Sequence, residues 1–260
     1  MSRRSLDVVG TEVIREHAFG LAEVARRVPL DTPVPSCPDW TMADLVWHLT
    51  EVELFWTGVV ANRPTGPGEY VEPARPADDE LIDGLERAAT GLLDALAGVD
   101  PAEPAWSWGD EQTVGFTLRR QSHEAAVHHV DGCLAAGTDL PAFSPAFAAD
   151  GIAEVIEVML TGVPEWGRFE RGNGVIRLQP GDTDDSWTLA FGRMIGTAPE
   201  SGTEHDLDAL DPVDEPPDAT VEGTAADLHL WLNGRGDLAS LTVHGDETLA
   251  HQLRDIAASL

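Results

Sequence analysis

The chain has 260 residues, 42% apolar and 24% charged, a composition suited to one large or two modest packed domains rather than to a disordered chain. Forty-six acidic residues against sixteen basic ones give a net charge of −30, a field that argues against nucleic acid and anionic lipid as partners. No uncharged apolar run reaches the ~18 residues of a membrane span, Asp7 and Glu12 interrupt any leader-like start, and Cys37 and Cys133 form no CxxC pair; a cytoplasmic protein is expected.

Helical periodicity predicts a first helix from Leu6 to Arg27, stopped by Pro29. The Pro-rich segment VPLDTPVPSCPDW is then an extended connection. Thr41, with Asp44 three residues on, opens a second helix in a capping-box pattern, followed by Met42, Leu45, Val46, Leu49, Val52 and Trp56 at helical spacing. A Pro/Gly-rich loop covers 62–77, a third helix 79–97 and a fourth 113–136, closed by Gly137. Four amphipathic helices predict a four-helix bundle, with a further helix over 149–160.

From Gly162 the texture changes. Residues 175–178 and 187–191 read as a hairpin, and the acidic stretch EHDLDALDPVDEPPD as a solvated loop. A strand at 219–221, a helix at 225–232, a strand at 241–244 and a closing helix from Glu247 complete a small α+β domain. The expected organisation is therefore a helical domain over residues 1–162 followed by an α+β domain over 163–260.

The fourth helix carries RRQSHEAAVHHVDG, in which Glu124 and His128 share one face about 40° apart. On its own this polar stripe could equally face water. His48, inside the apolar run LVWHLTEVELFW of the second helix, reads in isolation as a core histidine. Together, however, two histidines and a carboxylate from two helices are a ligand set for a divalent metal with an open position, zinc being the expected ion. His123 and His129 lie about 100° and 140° from Glu124 and cannot join it. Asp131 and Asp44 are each spaced to accept an imidazole N–H, although Asp44 alternatively only caps its helix. Cys37, Cys133, Trp106, Trp108 and Trp166 read as packing residues.

The segments VPSCPDWTMADLVWHLTEVELFWTGVV, HEAAVHHVDGCLAAG, and GTAADLHLWLNGR with LTVHGDETL resemble the actinobacterial mycothiol-dependent maleylpyruvate isomerase family. The resemblance implies a DinB-like metal-binding bundle followed by a sterol-carrier-like α+β domain. It places the family's metal ligands on His48, Glu124 and His128 and implies mycothiol as cosubstrate. His129 departs from it, standing where relatives often carry arginine.

A thiol on the open metal position would become a thiolate, ready to transfer to, or to assist isomerisation of, a small electrophile. No protein cysteine is placed for this, so sulfur must come from the cosubstrate, and beyond the metal site no catalytic residue is assigned. Arg119, Arg120 and Arg235 are the candidates to hold an anionic substrate or cofactor, Arg235 equally being an exposed loop residue; the charge favours transfer to a less charged electrophile. Two rival readings remain: a thiol-independent metal hydrolase and a non-catalytic module that binds a small molecule or protein.

Overall fold

The structure, a computed structural model, describes residues 8–66 and 70–258. The chain forms two compact units, Met1–Ala142 and Phe143–Leu260. In the first, α1 (Thr11–Ala25), α2 (Met42–Ala61), α3 (Asp78–Leu96) and α4 (Val114–Ala136) form the expected bundle. The helix expected from Leu6 starts at Thr11, and Leu6 itself lies outside the described residues. Each of α1 and α2 packs against both α3 and α4. Leu21, Leu45, Leu49 and Leu85 are wholly buried between them, so truncating one, as in Leu49→Ala, should cost roughly 2–5 kcal/mol.

Local chemistry sets where the site-bearing helices start and how closely they approach. Thr41 accepts the backbone N–H of Asp44, and the Asp44 carboxylate accepts that of Thr41 at 2.9 Å, so α2 begins on a full capping box. Thr113 caps α4, which stops at Gly137 in the left-handed conformation (φ 65°). Along α1 and α4 the helices touch through glycine. A Cβ on Gly20 would sit 2.3 Å from the His129 ring, and one on Gly132 would sit 2.6 Å from Leu21.

The second unit begins earlier than the sequence suggests. The helix expected at 149–160 is α5 (Pro145–Glu154) running into a π-helical turn (Val155–Leu160), and it belongs here rather than to the bundle. The reason is packing. Ile152, Ile156 and Leu160 join the core of the sheet, and Gly151 lets α5 approach α6 (Ala225–Leu232) so closely that a Cβ would lie 2.5 Å from the His229 ring.

The sheet has five strands in the order β3-β2-β1-β4-β5. They are β1 (Gly167–Pro180), β2 (Trp187–Thr197), β3 (Glu204–Pro212), β4 (Ala219–Gly223) and β5 (Thr242–Gly245), and α7 (Glu247–Ala258) follows. Central β1 runs antiparallel to β2 and parallel to β4. Ile176, Leu178, Phe191, Leu210 and Val221 fill the core with Leu228 of α6 and Leu253 of α7. The hairpin extends well beyond its apolar centre, past a register shift between Arg171 and Val175. The acidic stretch expected as a loop is instead largely strand β3, paired with β2 along its whole length. An edge strand needs one partner and few buried side chains. Leu210 supplies the burial, Arg193 pairs with Asp206 and Asp208, and the remaining acids keep the open edge solvated.

Candidate metal centre

His48 on α2 and Glu124 and His128 on α4 come together as their spacing predicts. The Nε2 atoms of His48 and His128 each lie 3.2 Å from the same Glu124 oxygen, Oε1. One donor atom from each of the three residues falls within a 4.8 Å span. Donors held at about 2.05 Å around a tetrahedral zinc stand about 3.3 Å apart, which the two nitrogen–oxygen distances match. Two imidazoles and a carboxylate are a donor set that could hold a divalent cation and leave a position open.

Burial grades across the trio. The His48 side chain is 34% exposed and forms the rim, whereas His128, at 8%, forms the floor. Behind the floor, His128 Nδ1 is 2.9 Å from Asp131 Oδ2, and the Ser36 hydroxyl donates to the other Asp131 oxygen. Asp131 is therefore the carboxylate that fixes the His128 ring, leaving Nε2 to face the site. Asp44 does not share this role: it is occupied by the α2 cap and by Arg75 at 2.6 Å. Trp40, carried by the proline-rich loop, packs its ring 4.7 Å from that of His48 and 6.1 Å from that of His128.

The electrostatics bind the group together. Burial disfavours a charge on His128, but the Glu124 and Asp131 carboxylates outweigh it and hold its pKa up at about 9. Burial would likewise raise Glu124, yet Arg120 and His128 outweigh that and keep its carboxyl well below the ordinary range. A cation at the centre would replace the His128 proton as partner of Glu124.

Of the arginines expected to hold a substrate, Arg120 reaches the site, where it pairs with Glu124 Oε2. Arg119 is buried on α4. Arg235 belongs to the second unit, where it donates to the Asn233 carbonyl at the end of α6. His129 turns away toward α1 and meets His17, Nδ1 to Nδ1 at 3.1 Å. Cys133 is a core residue of the bundle and Cys37 packs against the same core from the loop. Trp106 and Trp108 join Trp56 and Phe116 in an aromatic cluster within the first unit, and Trp166 packs beside His205 in the second.

Three participants are not apparent from spacing alone. Trp40 and Ser36 reach the site from the proline loop, and the only readable signal is their position just ahead of the helix bearing His48. Glu53 is the third. It is buried at 1% exposure on the Leu49/Trp56 face of α2, with neither carboxyl oxygen hydrogen-bonded. Burial, then the Glu124 charge, push its pKa well above the ordinary carboxylate range.

Comparison with known proteins shows the family and the fold. Residues 13–132 match the mycothiol maleylpyruvate isomerase N-terminal domain, and residues 146–252 match the C-terminal domain of the same family. The crystal structure of the mycothiol-dependent maleylpyruvate isomerase is similar over 90% of both chains, at 17% identity and a TM-score of 0.58. That of a histidine-to-alanine mutant is similar over the same 90% of both chains, at 17% identity and a TM-score of 0.57. No curated protein matches the sequence.

Proposed function

The chain belongs to the mycothiol maleylpyruvate isomerase family, and on that premise we propose that it is a metal-dependent enzyme using mycothiol as its thiol cosubstrate. His48, Glu124 and His128 would hold one divalent cation, zinc by the chemistry of the donors. When bound, the cation would favour thiolate over thiol at neutral pH. The observation that carries this reading is the convergence of two Nε2 atoms at 3.2 Å on a single carboxylate oxygen.

The chain's own residues set the geometry. Asp131 holds His128 in one ring orientation, and Arg120 restrains the second oxygen of Glu124. Trp40 walls one side of the two imidazoles. His48, at the exposed rim, marks the side from which a thiol enters. Cys37 and Cys133 are not in the trio, so the sulfur is the cosubstrate's. Neither is in a disulfide, which suits a reducing compartment.

The charge of −30 and the pairing of Arg120 with Glu124 favour a substrate of low charge. The reaction is either S-transfer to such an electrophile or thiol-assisted isomerisation of its double bond. The test is turnover of a panel of electrophiles by zinc-loaded protein, with and without mycothiol. Turnover that requires the thiol is expected. Turnover without it would replace this reading with a hydrolase, and failure to retain zinc would replace it with a binding module.

A further inference from the structure

On α2 and α4, the helices that carry the trio, five buried polar atoms have no hydrogen-bond partner: both oxygens of Glu53, the Thr117 hydroxyl, and both ends of the Gln121 amide. These side chains are 1%, 0% and 1% exposed. Leaving a buried polar group unpaired costs roughly 1–3 kcal/mol, so three such side chains in one place call for a partner.

Two contacts fix their relative height. His48 meets Glu124 (Nε2 to Oε1, 3.2 Å) and Trp56 meets Phe116 (ring centroids 5.8 Å). Eight residues separate the pair on each helix, so α2 and α4 run antiparallel in matched steps. Glu53, five residues beyond His48, then stands level with position 119, midway between Thr117 and Gln121 and within about 3 Å of each along the axis. Thr117 and Gln121 fall within about 60° of Glu124 around α4. Around α2, Glu53 lies about 40° from Leu49 and about 60° from Trp56, both buried, with Trp56 against Phe116 of α4.

We propose that Glu53, Gln121 and Thr117 form a polar subsite, buried between α2 and α4 beside the metal centre, that receives the carbonyl oxygen of a conjugated electrophile. The inference rests on the thiol chemistry proposed above. A carboxylic acid, a primary amide and a hydroxyl are all neutral donors, which suits an oxygen that is uncharged on binding and gains charge during reaction. The cosubstrate's thiolate forms an S–C bond at the β-carbon, and the π pair moves onto the carbonyl oxygen. There the O–H and N–H groups of the three residues meet the developing charge without delivering a proton. Rotation about the new single bond and return of the pair break the S–C bond, release the thiolate and leave the isomerised double bond. No net proton or electron is transferred.

The experiment uses zinc-loaded full-length protein, mycothiol, and the neutral enone (Z)-benzylideneacetone, followed by infrared difference spectroscopy and by turnover to the E isomer. The bound carbonyl stretch should shift to lower frequency in the wild type and return toward its solution value in Glu53→Met. Glu53→Gln, which keeps an N–H donor, should retain most of the shift. Enone turnover in Glu53→Met should fall about a hundredfold, as expected for loss of a donor to a developing oxyanion. Zinc content, thiol affinity and reaction with a simple alkyl iodide should remain within about twofold. Thr117→Val should act in the same direction and guards against a folding defect in the first variant. No carbonyl shift in the wild type, no enone binding, or a shift unaltered in Glu53→Met would overturn the subsite, leaving buried water as the partner of these groups. Loss of thiol-dependent turnover with the shift intact would instead overturn the thiol reading and leave the subsite standing.

Discussion

His128 and His129 are neighbours in sequence with opposite fates. About 100° of helical rotation separates them. His128 turns toward α2 and lies between Glu124 and Asp131, which hold its pKa at about 9. His129 turns toward α1 and meets another imidazole, and burial lowers its pKa; burial also lowers that of His17 opposite, to about 4. One residue type on one buried helix is thus paired with carboxylates on one face and packed against another imidazole on the other. The difference lies in the neighbours: carboxylates on the α2 side, histidine and the Gly20 gap on the α1 side.

Breaking the α2 side should have the largest effect. His48→Ala and Glu124→Ala are each expected to lower zinc affinity by roughly a thousandfold, read by metal analysis after dialysis. His129→Ala should keep stoichiometric zinc. Equal loss in all three variants would erase the contrast between the two faces.

Acid should break the α1 side next. His17 is depressed in the fold from 6.5 to about 4, first by burial and then by His129 and His123. The unfolded chain therefore takes up the proton first. The stability this group contributes is complete above pH 6.5 and is lost as pH falls toward 4, by up to about 3 kcal/mol. Denaturant titrations at pH 7 and pH 4.5 should show this loss, and His17→Gln should shrink the difference between them.

Removing the support behind the floor of the site should have a smaller effect. Asp131→Asn is expected to weaken zinc binding about 10–100-fold with the fold retained, measured by chelator competition. Loss of the α2 cap in Thr41→Ala should be smaller still, about 1 kcal/mol of stability by denaturant unfolding. Zinc affinity should hardly change, because Asp44 supports the helix start and not the imidazole.

What could be read in advance follows the same logic of faces. Helical spacing alone separates Glu124 and His128 from His123 and His129, and it puts His48 on a second helix, so the trio is legible. Spacing cannot choose between Asp44 and Asp131. Each is within reach of an imidazole, and only the capping box at Thr41 removes Asp44 from contention. The helix at 145–154 is apolar enough for either core, and its assignment rests on Gly151 meeting His229, a long-range contact with no local signature. Strand β3 was hidden by its acids, since an edge strand shows little alternation when Leu207 is exposed and Leu210 is buried. Trp40 and Glu53 sit where composition suggests a loop and a solvated charge; only packing gives them a place at the site.

The account depends on a cation held by three side chains with room for a cosubstrate's sulfur. The most direct measurement loads the protein with cobalt(II) and follows its absorption while mycothiol is added. A sulfur-to-cobalt charge-transfer band should grow to saturation at one equivalent of thiol and be missing in Glu124→Ala; a wild-type spectrum that stays unchanged at saturating thiol would contradict the account.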